Sequence, residues 1–284
     1  MSAFQTEQAI PDMTPEDSRC CLYLFVDGRQ VAPYSRSNFP DDDIVESDAV
    51  YLHESDEEPS PYLLAADCSI RQWFLAQQEG CGGFFFTSFW SIRKLREHFR
   101  QLIQVQSPYG TGSYLNMAHP EVAWTLLSSS CCWFWRPIEK AWLPTHSGWK
   151  ILSRFDAEPM IEVPLPLQLT PWQWQRLDHI AWRNLLKVVY HHVQHHFPEI
   201  LFQQERGDLW IEAHAQIARQ KGFITPHDQL NYFNIIGLLG ETAVTGEQYP
   251  EIYRLLHFPS PVLKTPGQRV RHAARLAEQY VQRD

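Results

Sequence analysis

Between Gly80 and Val105 the chain reads GCGGFFFTSFWSIRKLREHFRQLIQV, and its apolar periodicity changes there from none to helical. Phe84 to Thr87 form a short aromatic run behind Gly82 and Gly83, which suits a strand inside a sheet. Ser88 or Ser91 then supplies an N-cap. Ile92, Leu95, Phe99, Leu102 and Ile103 follow at steps of three, four, three and one, a single stripe along about three turns. Arg93, Lys94, Arg96, Glu97, Arg100, Gln101 and Gln104 occupy the other sides. The spacing therefore predicts a helix from Ser91 to Val105, lying on a sheet with a mostly basic face outward and stopped by Pro108.

The flanking sequence extends this layered pattern. Leu22 to Val26 reads as a buried strand ended by the turn pair Asp27 and Gly28, where Asp27 fits turn chemistry better than catalysis. Asn38 to Ser60 reads as an acidic excursion around a short strand at Ala49 to His53. Tyr62 to Ala66 is a further strand, and Ser69 to Gln78 a helix with Ile70, Trp73 and Phe74 inward. Ser113 to Met117 is expected to be a strand and His119 to Leu127 a helix with Pro120 in its first turn. Cys131 to Trp135, Trp149 to Phe155 and Met160 to Val163 complete the expected strands. Interleaved strands and helices predict an α/β (α+β) N-terminal lobe, with a mixed sheet flanked by helices, over residues 20–165 behind a tail at residues 1–19.

Pro159, Pro164 and Pro166 form a stiff connection, and residues 166–284 read as an all-α lobe. Thr170-Pro171, Thr225-Pro226 and Thr265-Pro266 each place a capping Thr before Pro, with Gln173, Asp228 or Gln268 three residues after the cap. The first of these helices runs to about Phe197, with Leu177, Ala181, Leu185 and Val188 on one face. Others cover Asp208 to Lys221, Pro226 to Leu239, Glu251 to Leu256 and Pro266 to Arg283, a small bundle.

Net charge of -9 is unevenly placed, because residues 1–66 hold 14 Asp or Glu against 3 Lys or Arg. That balance argues against a nucleic-acid partner. No apolar run reaches the roughly 18 residues of a membrane span, and the first 20 residues lack a signal peptide's regions, so the expectation is a cytoplasmic protein without membrane insertion. The six Cys have no C-x-x-C spacing and read as reduced packing thiols.

His191, His192, His195 and His196 are the most conspicuous chemical cluster, since pairs four apart share one side of a helix. No Glu follows the first His, as a metalloprotease helix requires, and no third ligand is evident; neither metal nor cofactor is expected. Cys81 or Cys131 beside a His, or the run Ser128 to Ser130, are the candidate nucleophiles. No G-x-S-x-G elbow or phosphate loop accompanies them, so a non-enzyme is the expectation, with a Cys/His hydrolase working in an interlobe cleft as the alternative.

Five segments resemble, in order, the type VI secretion effector-adaptor family. They are L-Y-x-x-V-D-G at Leu22 to Gly28, P-x-L-L at Pro61 to Leu64, S-x-x-x-L-x-x-H-F-R-x-L-I-x-V at Ser91 to Val105, H-P-E-V at His119 to Val122, and W-x-P-I-E at Trp135 to Glu139. Similar proteins usually carry an F-R-x-Y-D-P-R-V type segment where this chain has Tyr114 to Val122, so two arginines and an Asp are missing. The G-x-x-x-x-x-D pattern from Gly222 to Asp228 also looks like the variable tail of these adaptors. The resemblance implies an effector chaperone that holds one toxin and loads it on the VgrG spike, with a co-chaperone as a third partner left open. It places client binding on the N-terminal lobe, with the helical lobe shaping one wall of a cleft, and points to Arg96, Arg100, Trp135 and Glu139 as partner-binding residues. Arg96 and Arg100 have two readings: a bidentate pair with a client carboxylate, or ion pairs to the acidic 41–58 segment or to Glu139.

Overall fold

The computed structural model describes residues 10–27, 61–76, 82–129, 131–154, 164–246 and 248–282. They form two compact units, residues 1–180 and 181–284, so the division falls inside a helix, whereas the sequence reading sets it at the prolines. The acidic excursion, the strands at Ala49 to His53 and Met160 to Val163, and Cys81 lie outside the described residues. Among the described residues no helix is long and apolar enough to cross a membrane.

The first unit is built on an antiparallel sheet in the order β2-β1-β3-β6-β7, from β1 (Cys21–Val26), β2 (Tyr62–Ala65), β3 (Gly83–Ser88), β6 (Lys140–Thr145) and β7 (Gly148–Ser153). Strand β3 is central, and all six of its residues are buried, as its run of aromatics requires. Side chains alternate across the pleat. Tyr23, Phe25, Phe84 and Phe86 enter one core with Ala141 and Leu143. Leu24, Val26, Phe85 and Trp142 enter another with Met13, Ile70 and Phe74. Helix α1 (Cys68–Ala76) covers the second face, while α2 (Ile92–Arg100), α3 (Pro120–Ser128) and α4 (Cys132–Trp135) supply the apolar cover of the first. Gly83 is required by closeness: a Cβ there would stand 2.7 Å from the Phe25 carbonyl oxygen and 2.8 Å from the Phe74 ring.

Three expectations are corrected. The helix from Ser91 ends at Arg100, and Gln104–Gln106 is strand β4, paired antiparallel with β5 (Gly112–Tyr114) and parallel with β8 (Leu167–Gln168). A tight turn, with Leu102 N–H donating to the Phe99 carbonyl at 3.0 Å, lets Leu102 and Val105 stay buried without continuing the helix. Cys131 to Trp135 is a helical turn rather than a strand; the N–H groups of Phe134 and Trp135 both donate to the Cys131 carbonyl at 3.0 Å. A five-residue apolar run fits either form, and burial decided it. Strand β6, overlooked because Pro144 interrupts KAWLPT, pairs Pro144 with Trp149 near the hairpin end, where a missing N–H is tolerated.

The second unit is helical: the C-terminal part of α5 (Pro171–His196), then α6 (Pro198–Phe202), α7 (Gly207–Gln220), α8 (Pro226–Leu239), α9 (Thr242–Thr245), α10 (Pro250–His257) and α11 (Pro266–Val281). Full capping boxes form at Thr225 with Asp228 and at Thr265 with Gln268. Val189 and Val193 of α5 join Ile211, Phe223, Phe233, Ile236 and Val270 in one core. Val188, expected inward, is 49 % exposed, one position off the face that the bundle covers. Buried Gln229 donates from Nε2 to the carbonyls of Ala215 at 3.2 Å and Phe223 at 2.7 Å, tying the α7–α8 turn.

Candidate functional site

Helix α2 gives up one face to the core. Leu95, His98 and Phe99 are buried, and the Phe99 ring stacks on Phe25 at 5.1 Å and meets Phe86 edge-on at 5.9 Å. Arg93, Lys94, Glu97 and Arg100 are exposed, and Arg96 is half-buried with its Nε shielded from solvent. Arg93 donates to Glu97 at 3.2 Å along the helix. Arg100 lines a shallow groove of about 380 Å³ with Gln101, Ile103, Gln104, Leu165 and Pro166, so a cation and an exposed Leu165 share its walls.

Trp135 and Glu139 act within the fold. The Trp135 indole N–H donates to the Leu127 carbonyl at 2.8 Å, fastening α4 to the end of α3. The Glu139 carboxylate accepts from Arg154 at 3.1 Å, and its N–H donates to the Thr87 carbonyl at 2.9 Å. Glu139 thus joins the β6–β7 pair to β3.

Sequence reasoning missed a row of cations and aromatic rings at the start of α2. Trp90 is fixed by its backbone: its N–H donates to Ser88 Oγ at 3.0 Å and its carbonyl accepts from the Tyr23 hydroxyl at 2.8 Å. Lys94 Nζ lies 3.9 Å from the centre of the Trp90 ring, a cation–π distance. One turn on, His98 meets Trp90 edge-on at 5.4 Å and stacks on Trp133 at 5.5 Å, and the Arg136 guanidinium lies 5.1 Å from the Trp133 ring centre. His98 Nε2 stands 2.7 Å from the Trp133 carbonyl, which only accepts, so Nε2 carries the proton. Burial pushes the His98 pKa below its ordinary value, and the charges of Arg136 and Lys94 push the same way. The imidazole is therefore a neutral structural group under two cations. A signal existed: Leu95, His98, Phe99 and Leu102 share helical spacing, which put His98 in the apolar stripe.

The remaining candidates have local structural roles. The ring of exposed His196 lies 4.6 Å from half-buried His192 and 4.7 Å from exposed His195, but His192 Nε2 is held by Asn234 Oδ1 at 2.6 Å. Among the described residues no group of three or more His, Cys, Asp or Glu is placed to hold a metal. Burial raises the Cys131 pKa, which disfavours the nucleophilic thiolate. Ser128 and Ser129 donate to the Thr125 carbonyl at 3.4 and 2.8 Å, and Ser130 lies outside the described residues. The Asp27 N–H donates to the Gly82 carbonyl at 2.6 Å, extending the β1–β3 contact. Buried Glu121, whose N–H donates to His119 Nδ1 at 3.3 Å, accepts from the His146 N–H at 2.9 Å and faces His146 Nδ1 at 2.5 Å; it anchors the β6–β7 turn on α3.

A family model described as "Domain of unknown function (DUF4123)" matches residues 22–132, which include all but the first residue of β1 and the whole Trp90–Lys94–His98 segment. The accessory protein VasW of Vibrio cholerae serotype O1 is 40% identical over 276 residues, covering 96% of this chain and 92% of VasW. No solved structure matches the chain.

Proposed function

We propose, from the premise that this chain belongs to the type VI secretion effector-adaptor family, that it is a non-catalytic adaptor which binds one effector toxin, stabilises it and promotes its loading on the VgrG spike in the cytoplasm. The observation that supports this most is end-to-end similarity to a protein named as an accessory protein. The chemistry of the candidate nucleophiles among the described residues points the same way, because Cys131 is buried as a thiol and Ser128 and Ser129 are spent on capping carbonyls. The effector surface in this reading is the exposed side of α2, with Arg100 at the rim of the groove that Leu165 lines.

Deletion of the gene tests the reading. An adaptor mutant loses delivery of one effector, while VgrG and the other effectors are still secreted, and the lost effector co-purifies with this chain from wild-type cells. Loss of all delivery would make the protein a structural component, and unimpaired delivery would reject the adaptor role.

A further inference from the structure

We infer that the row Lys94, Trp90, Trp133 and Arg136, packed over the buried His98, is a docking surface for an acidic segment of a protein partner, one that sets Asp or Glu beside apolar side chains. Neither Lys94 nor Arg136 makes an ion pair among the described residues, and each rests on an indole face, at 3.9 and 5.1 Å. Stacking on a ring limits the freedom of a long cationic side chain, so less entropy is lost when it meets a carboxylate. Helix α2 has no acid in its first turn, where the backbone dipole is positive, and it places Arg93 and Lys94 there. Glu97 answers Arg93 alone, at 3.2 Å. Among the described residues Lys94 therefore has a ring but no carboxylate for its charge, at a helix end whose dipole also favours an arriving carboxylate.

The rings between the two cations complete the match. Trp90 and Trp133 are half-buried and packed against the core, with His98 wedged between them and bonded to the Trp133 carbonyl at 2.7 Å. Rigid aromatic anchors between charges suit a peptide that alternates carboxylates with apolar groups. A nucleic acid fits less well, because two cations neutralise few phosphates.

This inference rests on the adaptor reading and names the chemistry of the partner it engages. Its test is fluorescence polarisation on the full chain, with a short fluorescein-labelled peptide alternating Glu and Leu as the probe. The Glu peptide is expected to bind, its Gln counterpart to bind about tenfold more weakly, and the double variant Lys94→Gln, Arg136→Gln to lose about tenfold for the Glu peptide with an unchanged melting temperature. Each single variant should lose part of that affinity, which keeps the test open if the double variant does not fold. Equal binding of the two peptides, unchanged binding by the variants, or tighter binding of a single-stranded oligonucleotide would overturn the inference. The gene deletion separates the two readings. If deletion abolishes delivery of one effector and the double variant restores it fully, the docking surface is refuted while the adaptor role stands; unimpaired delivery on deletion refutes the adaptor role itself.

Discussion

Phe99 shows how one side chain joins the helix to the sheet. It is fully buried among Phe25, Phe86 and Phe134, so Phe99→Ala is expected to cost about 3 to 5 kcal/mol in denaturant unfolding. A loss below about 1 kcal/mol would mean that the site collapses around the deletion. The two arginines of the same helix should separate. Arg100→Glu at an exposed position should change stability by no more than about 0.5 kcal/mol and weaken effector co-purification. Arg96→Glu sets a carboxylate against a half-buried wall and should cost about 1 to 3 kcal/mol. Equal behaviour of both variants in thermal melts and pull-downs would contradict that division. His98 gives a pH dependence. Its folded pKa lies below the ordinary value of 6.5, chiefly through burial, so below that pH the unfolded chain binds more protons. Its stabilising contribution is complete above pH 6.5 and is lost as pH falls toward the folded pKa. Unfolding titrations of His98→Gln should therefore show a shallower loss of stability between neutral and mildly acidic pH than the parent; an unchanged slope would assign the acid sensitivity to other groups.

Elements whose signals are local were legible, and those decided by partners were not. Thr-Pro starts gave α5, α8 and α11, because cap, fixed φ and missing N–H all act within four residues. Strands β1 and β3 were legible for a different reason, since short aromatic-rich runs flanked by glycine favour strand over helix. The end of α2 was misplaced because Leu102, Ile103 and Val105 satisfy a helical stripe and a strand equally, and pairing of Val105 with Ser113 and Leu167 chose the strand. The β6–β7 hairpin depends on a distant residue, Glu121, whose carboxylate accepts from the turn at His146. Glu121→Ala removes that anchor from a buried position and should cost about 1 to 3 kcal/mol. Hydrogen exchange should then speed up first at His146 and its neighbours in the turn, and uniform acceleration across the unit would show that the anchor serves the whole sheet.

For the whole chain, elemental analysis of the purified protein is expected to find no stoichiometric transition metal, since His192 is held by Asn234 and the remaining imidazoles of the cluster have no third ligand among the described residues. One metal per chain, lost on His192→Ala with His196→Ala, would reverse this. Sequence by itself determined the layered first half and the helical second half, because periodicity, caps and turn residues are properties of neighbours along the chain. It also carried the family signature, including His98, without revealing what His98 does. Only the tertiary structure decided which side chains meet: it engaged Glu139 with Arg154, fastened Trp135 to Leu127, and set Trp133 and Arg136 across from Trp90 and Lys94. Residues some 40 positions apart meet there through sheet pairing and core packing, and no local pattern encodes a contact made by the fold as a whole.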